Sequence, residues 1–121
     1  MKVLVLDDNY KDFLHILSVY GAREGVEFLG VATTQKAKNL LMQEKFDALL
    51  LDGNLDDEGL CPTGPAVLRD WLGSGLIVPP VFMISGDDAL NSEGVVNGAH
   101  GILGKLELWN LPRILKEELS K

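Results

Sequence analysis

Short runs of consecutive apolar residues, separated by longer stretches of helical period, leave this chain few ways to fold. Val3 to Leu6, Ala48 to Leu51 and Val81 to Ile84 are each apolar without interruption. A strand with one wet face alternates apolar and polar residues, whereas a strand apolar throughout belongs in a sheet covered on both faces. Ile102-Leu103 is a shorter run of the same kind, and the less uniform Glu27 to Thr33 reads as an edge strand. Between them, helices are predicted over about 10–22, 34–45, 65–73, 87–97 and 111–120. In the second, Ala37, Leu40, Leu41 and Glu44 fall at helical spacing, with Lys36, Lys38 and Gln43 on the other side. Pro65 sits where the third begins, and Gly73 and Gly75 where it ends. The last carries Leu111, Ile114, Leu115 and Leu119 on one face, with Asn110 as its cap and Pro112 just inside. Strands alternating with helices through short connections predict a doubly wound α/β domain, a parallel sheet with helices on both faces. The 121 residues are the size of one such domain, spanning 1–121, and 46% hydrophobic residues suffice for its core.

Composition narrows the functions open to such a domain. The formal net charge of −7 gives no electrostatic footprint for nucleic acid. No apolar run approaches the roughly 20 residues needed to span a bilayer. Met1-Lys2-Val3-Leu4-Val5-Leu6 turns acidic at once, which reads as a strand and not a signal peptide. The single cysteine, Cys61, excludes an internal disulfide and suits a reducing compartment, so a cytoplasmic protein is expected. His15 and His100 each read as a surface or satisfied histidine, not as a metal ligand or phosphocarrier.

The polar residues fall where such folds do chemistry. Asp7-Asp8 follows the first apolar run, Asp52 ends the third, Ser85 ends the fourth and Lys105 follows the fifth. In open parallel sheets the ligand crevice lies outside the carboxyl ends of the strands. If the first and third strands are neighbours, their terminal carboxylates stand roughly 5 Å apart. At that spacing they repel by roughly 3 kcal/mol at an effective dielectric near 20. Three in one pocket need a cation or must give up ionisation. Magnesium fits, since it takes a few carboxylates and keeps other positions for water or phosphate. Ser85 can donate a hydrogen bond and Lys105 a point charge, both suited to phosphoryl oxygens. Taken singly, each has a plainer reading: Asp7 and Asp8 as helix caps, Asp52 as a turn residue, Ser85 as a strand exit, Lys105 as a solvated lysine.

Taken together, the acidic pair Asp7-Asp8, Asp52 in Leu49-Leu50-Leu51-Asp52-Gly53-Asn54, Ser85 in Met83-Ile84-Ser85-Gly86 and Lys105 after Gly98-Ala99-His100-Gly101 resemble the receiver domains of two-component response regulators. The resemblance runs from the first strand to the last helix. It implies a flavodoxin-like sheet of five strands in the order 2-1-3-4-5, with Asp52 as the phosphoacceptor nucleophile. It further implies that Asp8, Asp52 and the Asn54 backbone carbonyl bind Mg2+, with Asp7 acting mainly through a bound water. Ser85 and Lys105 would hold phosphoryl oxygens, and Asn54 and Asp87 would face the attacking water. The implied partners are a histidine kinase or histidine phosphotransfer protein, with signalling by protein contact.

The chain also departs from that family. The stretch from Asp52 to Thr63-Gly64 is longer than usual, and its Asp56-Asp57-Glu58-Gly59-Leu60-Cys61-Pro62 adds three acids beside the site. Ile102 stands where receivers carry an aromatic switch residue, and Leu106 where they carry proline. The fourth helix contains Gly94, Ser92 and two asparagines, poor helix formers that predict a marginal, mobile element. Leu106, Leu108 and Trp109 beside it read either as core under the last helix or as a contact face for a homodimer or downstream effector. Two other functions compete with a phosphoacceptor: a receiver-like scaffold that is never phosphorylated, and a small magnesium-dependent aspartyl phosphatase. The phosphatase needs an aspartate two residues after its nucleophile, but Asn54 follows Asp52 and Asn9 follows Asp7 at that distance. A flavin carrier is opposed by Asp7-Asp8-Asn9-Tyr10-Lys11, which has no phosphate-cradling glycine or hydroxyl.

Overall fold

The computed structural model of the chain describes residues 1–55, 63–104 and 107–121. Its strands are β1 (Lys2–Leu6), β2 (Glu27–Val31), β3 (Ala48–Leu51), β4 (Val81–Met83) and β5 (Gly101–Ile102). Its helices are α1 (Leu14–Arg23), α2 (Thr34–Gln43), α3 (Gly64–Gly73), α4 (Asp88–Val96) and α5 (Leu111–Leu119). The strands form one sheet in the order β2-β1-β3-β4-β5, and every pairing is parallel. The doubly wound architecture expected from the sequence is therefore present, with Glu27–Val31 at the edge.

The uninterrupted apolar runs are explained by which side chain goes to which face. Leu4, Leu6, Leu49, Leu51, Val81 and Met83 enter one core, joined by Ala37 of α2 and by Val67, Leu68 and Trp71 of α3. Val3, Val5, Ala48, Leu50, Phe82 and Ile84 alternate into the other core, with Leu17 of α1 and with Leu111 and Leu115 of α5. Successive strand residues point to opposite faces, so a run must be apolar at every position when both faces are covered.

Local sequence sets the helix ends. Thr33 and Thr63 cap α2 and α3 by accepting hydrogen bonds from the Lys36 and Ala66 amides at 3.3 Å. Gly75, with φ of +84°, turns the chain out of α3, as Gly73 and Gly75 foretold. Asn110 precedes α5, but its side chain makes no capping hydrogen bond, contrary to expectation. The predicted helix over 10–22 is also two pieces. A 3-10 turn at Tyr10–Asp12 ends at Phe13, whose φ of −132° breaks the helix before α1 begins. The Asp7 carbonyl accepts the Tyr10 amide at 3.0 Å, while Phe13 drops into the core, so tertiary anchoring overrides the period. Glu44, placed with the apolar face of α2, is an exposed residue at its end and pairs with Lys2.

Candidate functional site: an acidic cluster at the carboxyl edge of the sheet

Strand register brings the acids together. Leu6 of β1 stands opposite Leu51 of β3, so the next residues, Asp7 and Asp52, leave the sheet side by side. The Asp52 amide donates to the Leu6 carbonyl at 3.0 Å, and the Asp7 amide to the Val31 carbonyl at 3.1 Å. Both backbones are thus held by neighbouring strands up to the point where their side chains diverge from the ladder. Carboxylate oxygens of Asp7, Asp8 and Asp52 all lie within 4.8 Å of one another. Asp7 and Asp52 are buried and Asp8 is half-buried. Asp7 Oδ1 accepts the Asn9 amide at 2.8 Å, a local turn that orients the carboxylate.

Three oxygen-only ligands converging at the end of a parallel sheet suit a hard divalent cation such as magnesium, which prefers carboxylate and water oxygens. The donor set contains no sulfur or imidazole, which would favour zinc. Among the described residues, these three acids are the group arranged to hold a metal ion.

Ser85 follows β4 after Ile84, whose amide donates to the Leu51 carbonyl at 3.0 Å. The serine therefore sits beside the Asp52 strand end. Gly53 makes that approach close: a Cβ there would lie 2.9 Å from Ser85 Cβ, 3.0 Å from Ser85 Oγ and 2.8 Å from Leu90 Cβ. Only a residue without a side chain fits between Asp52 and this wall. Asn54 is exposed and forms a single antiparallel bridge with Thr63, and the Gly64 amide donates to the Gly53 carbonyl at 3.0 Å. The chain thus returns against the Asp52 strand end before entering α3. Asp87 caps α4, its Oδ1 accepting the Ala89 and Leu90 amides at 2.9 and 3.2 Å, and its own amide donates to Ser85 Oγ at 3.0 Å.

Of the site residues read from the sequence, Asp7, Asp8 and Asp52 are brought together, Ser85 packs against Gly53, and Asn54 is an exposed residue bridged to Thr63. Lys105 lies outside the described residues, as do Leu106 and the acidic stretch 56–62 with Cys61. Asn91, like Gly53, escaped sequence reading as part of the site. Asn91 of α4 is buried, its Oδ1 accepting the Ser85 amide at 3.1 Å and its Nδ2 donating to the Ser85 carbonyl at 2.8 Å.

This fold is that of the receiver domains of response regulators. The receiver domain of a Francisella response regulator superposes with a TM-score of 0.76 at 20% identity, covering 98% of this chain and 96% of that one. A two-component response regulator from Clostridium difficile gives 0.80 at 18% identity, over 100% and 97% of the two chains. The receiver domain of NtrX from Brucella abortus gives 0.78 at 22%, over 98% of each. No protein-family model matches the sequence, and no curated protein matches it either.

Proposed function

We propose that this chain is a phosphoaccepting signalling domain, with Asp52 as the residue phosphorylated. The observation that carries the reading is the convergence of the Asp7, Asp8 and Asp52 carboxylates within 4.8 Å, at the strand ends of a receiver fold. Asp8, Asp52 and the Asn54 carbonyl would hold a magnesium ion, and Asp7 would act through water. A magnesium ion bound there supplies positive charge against the oxygens of an incoming phosphoryl group. An Asp52 carboxylate oxygen attacks phosphorus; the new O–P bond forms as the donor's bond to phosphorus breaks, N–P in a phosphohistidine and the bridging O–P in acetyl phosphate, and the departing imidazole nitrogen or acetate oxygen keeps that electron pair. The Ser85 hydroxyl donates to one phosphoryl oxygen and Lys105 balances the charge of another. Water later attacks phosphorus, releasing phosphate and restoring the Asp52 carboxylate.

The domain so defined spans 1–121. It works in the cytoplasm with a histidine kinase or histidine phosphotransfer protein and signals by protein contact. It is regulatory and not an enzyme acting on a separate substrate, although it shares in its own phosphorylation and dephosphorylation. Among the described residues no helix is long and apolar enough to cross a membrane, which is compatible with this placement. The test is intact mass after incubation with magnesium and acetyl phosphate. Wild type should gain one acid-labile phosphoryl group and Asp52→Asn none. Equal uptake by both would reject Asp52 as acceptor, and uptake by neither would favour an unphosphorylated scaffold.

A further inference from the structure

Asn91 is a costly residue to place where it stands. It is 4% exposed on the inward face of α4, and a buried amide is unfavourable unless its hydrogen bonds are made. Here both ends of the carboxamide are used on one residue, Ser85, whose amide and carbonyl they clasp at 3.1 and 2.8 Å. The Ser85 hydroxyl meanwhile accepts the Asp87 amide at 3.0 Å, a bond that leaves its own proton uncommitted. On the other side Ser85 and Leu90 press against the space that Gly53 leaves beside Asp52. Ser85 is therefore held on its main chain by the first turns of α4 and aimed, by the same helix, at the residue following Asp52.

We propose that Asn91 is a positioning residue for phosphoryl binding: it fixes the Ser85 main chain so that the hydroxyl meets a phosphoryl oxygen on Asp52, and it makes α4 move with Ser85. The inference rests on the phosphoacceptor reading and deepens it. A serine on a free strand exit could shift toward a phosphoryl group alone. With both backbone groups taken by Asn91, any shift of Ser85 must carry α4 or break two buried hydrogen bonds, so occupancy at Asp52 is transmitted to a helix that does not touch the phosphoryl group.

The test uses the whole chain and two probes, magnesium alone and beryllofluoride with magnesium, each titrated by calorimetry. Magnesium is held on the β1 and β3 side, so Asn91→Ala should leave its affinity within about twofold of wild type. Beryllofluoride affinity should fall about tenfold, as expected for loss of preorganised hydrogen bonding. In a Ser85→Ala background the same substitution should cost no more than about twofold, because the main chain stays clasped but the hydroxyl that Asn91 positions is gone. Equal losses for both probes, an undiminished loss in the Ser85→Ala background, or no loss at all would overturn the proposal. Should Asn91→Ala fail to fold, hydrogen exchange on wild type decides it. The Ser85 and α4 amides should change protection together when beryllofluoride is added, and independent changes would refute the coupling. A wild type that binds magnesium but not beryllofluoride would defeat the phosphoacceptor reading itself, a result distinct from failure at Asn91.

Discussion

Asp7 and Asp8 are adjacent in sequence and differ in burial and in hydrogen bonding. Asp7 is fully buried and has one carboxylate oxygen occupied by the Asn9 amide, whereas Asp8 reaches the cluster from a half-exposed position. Asp8→Ala should therefore weaken magnesium binding by about a hundredfold or more, and Asp7→Ala by about tenfold, as for a ligand acting through water. Calorimetric titration checks the order, and a reversed order would exchange the two roles. Gly53 is the second sensitive position, because a Cβ there meets Ser85 and Leu90 inside 3.0 Å. Gly53→Ala should cost about 1–3 kcal/mol in urea unfolding through overpacking, and should slow phosphorylation by acetyl phosphate by displacing Ser85. The acids and Ser85 were legible because each is a polar residue directly after an apolar run. Asn91 and Gly53 were not, since what they do depends on partners on other elements. In sequence Asn91 reads only as a weak helix former, and Gly53 as part of a turn.

The elements followed from periodicity wherever one physical demand decided them. β3 runs over Ala48–Leu51 as read, and Leu111, Ile114, Leu115 and Leu119 of α5 all pack on the core containing Phe82 and Leu50. Truncating the fully buried Leu115 to alanine should cost about 2–5 kcal/mol, measured by denaturant unfolding, because α5 covers that face of the sheet. Periodicity misled where tertiary anchoring competes with helix formation, as at Tyr10–Asp12, whereas in α4 it placed the helix and composition alone did not show what the weak helix formers do. Its poor helix formers fall partly on the buried face: Asn91 clasps Ser85, and Gly94 lies where a Cβ would come within 2.5 Å of Met83 Sδ. Gly94 is what lets α4 sit close upon β4. Gly94→Val, despite a better intrinsic helix former, should lower stability by about 1–3 kcal/mol, with an unchanged urea m-value if the unfolded state is unaffected.

At the scale of the whole molecule, the question is what a change at the carboxyl edge presents to a partner. Of Leu108 and Trp109, read together as either core or contact face, Leu108 packs on the second core, while Trp109 is 60% exposed and outside it. Val96 at the end of α4 is 85% exposed, and Ile102 of β5, where the sequence resemblance to receivers leads one to expect an aromatic residue, is 47% exposed. An isoleucine cannot swing a ring between buried and exposed states, so on the phosphoacceptor reading proposed above a signal from Asp52 would leave through backbone and packing, and the Asn91 clasp offers such a route into α4. Sedimentation velocity with beryllofluoride and magnesium should then show self-association absent without the mimic, through the side formed by α4, β5 and α5, with Trp109 in the contact. Two copies each carrying a net charge of −7 repel, so raising salt should strengthen the dimer if apolar contact drives it. Trp109→Ala should abolish the association while leaving unfolding within about 0.5 kcal/mol of wild type, because the ring is largely solvated in the monomer. A protein that binds the mimic and remains monomeric would exclude dimerisation and leave this face to a different partner.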